Sequence, residues 1–229
     1  MVSVTVWGDY ACFTRPEHKV ERMTYPVMTP SAARGVLEAI AWKPEFSWRV
    51  RRIHVLRPIR HASIGRNEVA SLVSERAARG WSKTGVGGFD AADDRRQRFS
   101  LVLRDVRYRI DADIVLRPHA SDPIAKYESI FERRVAKGQS FHRPYLGTRE
   151  FPAFFGPVSD EPSIDYSDEL GRILFDVHYT PDSKGPIEYR SHGPDGGAVV
   201  RGRANPVFFR AQLKGGVLDV PNELYEESA

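Results

Sequence analysis

The chain has 229 residues, 41% of them hydrophobic and 28% charged, with a formal net charge of +4, which excludes a disordered or collagen-like polymer and allows a full globular core. No apolar run approaches the ~20 residues needed to span a bilayer, and the N-terminal MVSVTVWGDYACF has neither a charged leader nor a signal-peptide core. Cys12 is the only cysteine, so an internal disulfide and a thiolate metal cluster are excluded and a reducing cytoplasm is the expected compartment.

Val2, Val4 and Val6 alternate with Ser3 and Thr5 and open the chain as a strand. Residues 14–28 are polar and irregular. Thr29 and Pro30 then cap a helix whose Ala33, Val36, Leu37 and Ile40 form one apolar face and which stops before Pro44. Arg49 to His61 reads as a strand of mixed pattern. Residues 70–97 place Gly80, Gly85, Gly87 and Gly88 among Ser, Arg, Lys and Asp. They are expected to be a structureless, mobile loop or insertion, longer than the ~15-residue norm of compact domains. Phe99 to Leu103 reads as a short strand that turns at Arg104-Asp105. Val106, Tyr108, Ile110, Ala112, Ile114 and Leu116 then alternate with polar residues as a second strand.

A helix is expected over 123–137, with Asp122 as N-cap, Pro123 as the first helical residue and Gly138 as its stop. Ile124, Tyr127, Phe131 and Val135 form its apolar face, and Lys126, Arg133 and Lys137 stack on another side. Phe141, His142, Arg143, Tyr145 and Arg149 follow at once in a basic and aromatic loop. Residues 157–171 read as an acidic connector, and strands are expected at 172–180, 186–190 and 206–213. The order through residue 156 is strand, helix, strand, strand, helix, strand, which predicts an α+β fold: a ferredoxin-like βαββαβ domain over 1–156, then a small antiparallel β-sheet domain over 172–229.

The charge is unevenly distributed. From Phe46 to Asn67 there are six arginines, two histidines and no acid, while acids gather at 159–170 and in the tail. Arginines outnumber lysines 27 to 7, which favours bidentate phosphate contacts, although biased codon usage gives the same ratio. A cationic helix face beside aromatic loop residues suits a phosphate backbone and unstacked bases. A solvated basic helix packed on a sheet accounts for the helix equally well.

Metal and acyl-transfer chemistry have no motif: there is no HExxH, no EF-hand loop and no GxSxG. No metal or cofactor is expected. Metal-free RNA cleavage needs a base for the 2′-hydroxyl, a cation for the phosphorane charge and an acid for the leaving 5′-oxygen. Lys126 supplies such a cation, His142 and Tyr145 reach from the loop, and Tyr127, on the apolar face, is better explained by core packing.

GDYACFTRPEHKVERMTYPVMTPSAARGVLEAIAWKP, RDVRYRIDADIVL and KYESIFERRVAKGQSFHRPYLGTREF, in this order, together resemble the Cas-five subunit, subtype d (also called c), of type I-C CRISPR systems. The resemblance covers most of residues 4–155. It implies a repeat-associated RNA-binding fold that cleaves precursor CRISPR RNA at the base of the repeat hairpin without metal. It also implies that the chain keeps the 5′ handle within a Cascade-type complex beside other type I-C subunits. A non-catalytic subunit that holds the handle is the alternative it leaves open. Members of the family use a tyrosine, a lysine and a histidine. The tyrosine position is Ala41 here, the lysine is Lys126, and the histidine position is Tyr127, with Tyr25 or His142 as stand-ins. Arg133, Lys137, His142, Arg143, Arg149, Arg51 and Arg57 are then the expected RNA contacts.

Overall fold

The computed structural model describes residues 1–18, 20–192 and 197–226. Nine strands and four helices alternate in it. Strand β1 (Val2–Ala11) is followed by α1 (Pro30–Ile40), β2 (Phe46–Val55), β3 (His61–Val69), α2 (Glu75–Thr84) and β4 (Arg95–Leu116). Helix α3 (Ile124–Lys137) and β5 (Phe154–Gly156) come next, then β6 (Asp168–Pro181), β7 (Ile187–Arg190), β8 (Val199–Lys214), β9 (Val217–Asp219) and a short α4 (Glu223–Glu226).

The strands hydrogen-bond in the order β5-β1-β4-β2-β9-β8-β6, and β3 and β7 pair off this path with β4 and β8. All the pairs are antiparallel. The first four strands of the path, with α1 and α3 as the two crossovers, reproduce the βαββαβ order expected from sequence. Strand β9 joins this sheet to the tail strands, because it pairs with β2 at Ile53–Leu218 and with β8 at Leu213–Leu218. Val4, Val6, Ile53 and Ile110 from the first sheet and Ile173, Phe175 and Leu213 from the tail belong to one buried apolar cluster.

Helix α1 forms where it was expected. The Thr29 hydroxyl accepts from the Ala32 N–H, Pro30 takes the first turn, and Ala33, Val36, Leu37 and Ile40 are buried. Helix α3 buries Tyr127, Phe131 and Val135 and ends at Gly138 with φ 62°. Its start differs from expectation. Pro123 is the N-cap with no side-chain hydrogen bond, and Ile124 is 41% exposed rather than part of the apolar face. The Phe131 ring lies 4.9 Å from that of Trp48, and the Tyr127 ring 5.2 Å from that of Phe46, so aromatic packing fixes the helix on the sheet.

Three expectations are corrected. Residues 70–97 are not structureless: α2 occupies 75–84, capped by Ser74 and closed by Gly85 at φ 69°, and β4 begins at Arg95. Residues 99–103 and 106–116 are not two strands around a turn. They form the single strand β4, in which Asp105 alone takes a positive φ of 51°, a conformation that Asp tolerates better than most residues. The first half of β4 pairs with β3 as a ribbon, and the second half lies between β1 and β2. The expected connector also ends early, since β6 starts at Asp168.

Candidate RNA interface

Helix α3 and the loop after it meet the C-terminus of α1. The last carbonyls of a helix have no partner within it. Here the Ala39 carbonyl accepts from the Phe141 N–H at 2.8 Å, and the Ile40 carbonyl accepts from the Arg134 guanidinium. The loop is pinned at its other end by Leu146, which is fully buried. Its carbonyl accepts from Cys12 N–H at 3.0 Å, and its N–H donates to Phe151 at 2.8 Å. Gly147 follows with φ 88°, and a β-carbon there would stand 2.0 Å from the Cys12 carbonyl oxygen, so only glycine closes this turn.

Between these anchors the loop projects its side chains outward. Phe141 is 79% exposed, its ring set edge-on to His142 at 5.9 Å, and His142, Arg143 and Arg149 are exposed too. Arg133 and Lys137 are exposed on α3. Among the described residues, Arg133, Lys137, Arg143 and Arg149 have no acidic partner within ion-pair distance. The structure therefore brings five of the expected RNA contacts, His142 included, onto one helix and its adjoining loop.

Arg51 and Arg57 are not part of that surface. Arg51 is paired with Asp113, and Arg57 with Glu161 at 2.6 Å. Acids of the fold already meet their charges, although the Arg57 side chain stays half-exposed.

Lys126 is exposed at the start of α3, and its ammonium donates to the Asp122 carboxylate at 2.7 Å. That hydrogen bond raises its pKa above the ordinary lysine value, with a further push from the negative charge of Glu45. Lys126 is therefore a fixed cation and a poor proton acceptor.

The tyrosines are elsewhere. Tyr127 is 1% exposed, and its hydroxyl is buried without a hydrogen-bond partner. Burial pushes its pKa up, as do Glu45 and Asp122. Tyr25 is also 1% exposed and lies under the Arg15 guanidinium at 4.6 Å. Both belong to the apolar core, which leaves neither hydroxyl open to solvent. Ala41 is the C-cap of α1 and is buried, its carbonyl accepting from the Trp48 indole at 2.9 Å.

One feature escaped the sequence reading. The histidines look scattered along the chain, yet His142, His178 and His192 line a single cleft of about 1100 Å³ between α1 and strands β6 and β7. Trp42, Arg49, Arg117 and Arg190 line it as well. Trp42 follows Ala41 directly, at the end of the first stretch that carries the family resemblance. Among the described residues no three His, Cys, Asp or Glu side chains gather in a way that would hold a metal ion.

The comparisons with known proteins agree with this architecture. A protein of Thermus thermophilus named CRISPR pre-crRNA endoribonuclease Cas5d is 51% identical over 227 residues, covering 99% of this chain and 93% of that protein. A protein of the same name from Mannheimia succiniciproducens is 41% identical over 239 residues, covering 99% and 97%. Two solved structures share the fold, each with a TM-score of 0.61 and each covering 97% of this chain and 92% of the other. One is a functionally uncharacterised protein from Streptococcus mutans at 18% identity, and the other is a CRISPR-associated protein at 22%. The sequence model of the Cas5d family, described as CRISPR-associated protein (Cas_Cas5), matches residues 1–221, and the chain belongs to that family.

Proposed function

We propose that this chain is a metal-independent endoribonuclease that cuts precursor CRISPR RNA at the base of the repeat hairpin and keeps the 5′ handle. One observation carries the reading furthest. Among the described residues, Arg133, Lys137, Arg143 and Arg149 stand exposed and without acidic partners on the helix that carries Lys126 and the loop after it, in a family whose relatives are named for this activity. A protein that leaves so many cations unneutralised on one helix and its loop has a polyanion as its natural partner.

In this reading Arg133, Lys137, Arg143 and Arg149 hold phosphates. The Lys126 ammonium faces the charge that builds on the phosphorane. His142, the exposed imidazole of the loop, moves the proton of the attacking 2′-hydroxyl or of the leaving 5′-oxygen. Tyr127 and Tyr25 take part only if RNA binding opens the core around them. The place of work is the cytoplasm, and the partners are the other subunits of a type I-C Cascade complex. No helix among the described residues is long and apolar enough to cross a membrane.

The test is cleavage of an end-labelled repeat hairpin in EDTA. A single cut near the 3′ base that leaves a 2′,3′-cyclic phosphate and is lost in Lys126→Ala supports the reading. Tight binding with no cut favours the second one, a non-catalytic subunit that holds the handle. The burial of Tyr127 and Tyr25 and the alanine at position 41 are the observations that favour it.

A further inference from the structure

Side chains alternate between the two faces of a strand. Val6, Ile53 and Ile110 join the core formed with α1 and α3. Their strand neighbours Thr5, Trp7, Arg107, Arg109 and His54 therefore occupy the opposite face of β1, β4 and β2.

The acidic segment 157–167, between β5 and β6, lies across that face as a strap. On β1 the Thr5 hydroxyl accepts from the Ser159 N–H at 3.2 Å. On β2 the His54 Nδ1 accepts from the Ser163 hydroxyl at 3.1 Å, and the Val55 carbonyl accepts from the Ile164 N–H at 2.9 Å. The Tyr166 carbonyl then accepts from the Gly216 N–H at 2.8 Å.

Between these anchors Glu161 meets two arginines. Its Oε1 lies 2.6 Å from Arg57 Nη1, and its Oε2 lies 2.8 Å from Arg107 Nε. One arginine on each oxygen is also how two arginines hold a phosphate. The fit is imperfect. The Arg107 Nε is buried, and although it is within ion-pair distance of Glu161 it is not aligned for a hydrogen bond. A buried donor left in this way costs stability. A tetrahedral phosphate offers oxygens outside the single plane of a carboxylate and is better shaped to meet it.

The rest of the face is cationic as well. Asp111 is shared by Arg52 at 3.2 Å, Arg109 at 3.7 Å and His54 at 2.9 Å. Among the described residues, Arg52, Arg57, Arg107 and Arg109 thus rely on Asp111 and Glu161, and Glu161 comes from the strap. Arg107 also lies over the Trp7 ring at 4.9 Å, and Trp7 stacks with the exposed Phe154 at 6.3 Å. Arginines and aromatic rings on a sheet face are the chemistry of a nucleic-acid surface.

We propose that Arg57 and Arg107 form a second phosphate site whose built-in occupant is Glu161, and that the strap masks this face and so confines RNA to α3 and its loop. The ligand kept out is a nucleic-acid backbone of any sequence, because phosphate contacts position a strand without reading it. Such contacts supply nearly all non-specific binding, so Glu161 acts as a specificity determinant. The proposal goes beyond the RNA reading above, which leaves this face unused.

The experiment titrates the full-length protein with a fluorescein-labelled oligouridylate of about ten nucleotides, which carries phosphates and no repeat sequence, over a series of salt concentrations. Glu161→Gln is expected to tighten binding about tenfold and to steepen the salt slope by about 1.4, at ~0.7 per phosphate gained. Asp160→Asn removes the same charge one residue away and is expected to change neither value. Adding Arg57→Gln and Arg107→Gln to Glu161→Gln is expected to restore both to wild type. Thermal melting establishes that each variant is folded. A folded Glu161→Gln protein that binds no tighter than wild type overturns the masked site, and so does an Asp160→Asn protein that tightens as much. Failure of the wild type to bind the repeat hairpin overturns the RNA reading instead, and the Glu161 comparison still decides the masked site.

Discussion

The Lys126 ammonium donates across 2.7 Å to the carboxylate of Asp122, four residues earlier, so the cation offered to the phosphorane is already half engaged. This pairing sets what substitution should do. Lys126→Ala is expected to slow single-turnover cleavage by about 100-fold or more, the scale of losing one group that stabilises developing charge, with modest loss of affinity. Asp122→Asn leaves the lysine uncompensated and is expected to tighten RNA binding several-fold. The pairing holds the Lys126 pKa above its ordinary value, and even the ordinary value, ~10.4, keeps a lysine charged across the neutral range. Any rise in rate between pH 5 and 8 should then persist in Asp122→Asn. Disappearance of that rise would show Lys126 titrating.

The arginines divide by their partners. Among the described residues Arg133 on α3 has no acidic partner, while Arg57 is bound to Glu161 at 2.6 Å. Arg133→Ala should lower RNA affinity and reduce the salt slope by about 0.7–0.9. Arg57→Ala should leave the slope unchanged. A smaller slope in Arg57→Ala would mean that the ion pair opens on RNA.

Tyr127 tests the difference between a core residue and a catalytic one. Its hydroxyl is buried with no partner, and such a group costs about 1–3 kcal/mol when left unsatisfied. Tyr127→Phe is therefore expected to melt at the same temperature as wild type or higher and to cleave at nearly the wild-type rate. Tyr127→Ala removes the ring packed on Phe46 and should cost about 3–5 kcal/mol. A folded Tyr127→Phe protein that no longer cuts RNA would restore the hydroxyl to the mechanism.

What was legible in the sequence was whatever has one wet face and one dry one. Thr29 and Pro30 announce α1, the alternation from Val106 to Leu116 announces the second half of β4, and Gly138 announces the end of α3. Helix α2 left no such mark because none of its residues is buried, and β3 is exposed or only half-buried throughout. Without a core to face, neither has an apolar period to read. The site divides in the same way. Arg133, Lys137 and Arg143 are neighbours in sequence and were found together. Trp42, Arg117 and His192 come from three distant segments and meet only because α1, β4 and β7 pack around one cleft. The ion pairs of Arg51 and Arg57 were hidden for the same reason, since their acids Asp113 and Glu161 are far along the chain.

A buried charge network beneath the sheet sets the acid limit of the fold. The His54 Nε2 donates to the Asp111 carboxylate at 2.9 Å, Ser3 donates to its other oxygen at 2.8 Å, and both His54 and Asp111 are buried. Burial alone would raise the Asp111 pKa, but the hydrogen bonds from His54 and Ser3 and the charges of His54 and Arg109 outweigh it and hold the carboxyl below its ordinary value. A carboxyl depressed in the folded state stabilises the protein fully above the unfolded pKa, ~3.9, and loses that contribution as pH falls through the folded value. Urea unfolding should therefore show stability dropping below about pH 4. Asp111→Asn is expected to cost about 1–3 kcal/mol at neutral pH, because it leaves His54, Arg52 and Arg109 short of a carboxylate, and to flatten the drop in acid. A variant as stable as wild type at pH 7, with the same acid limb, would move the source of acid sensitivity to other carboxylates.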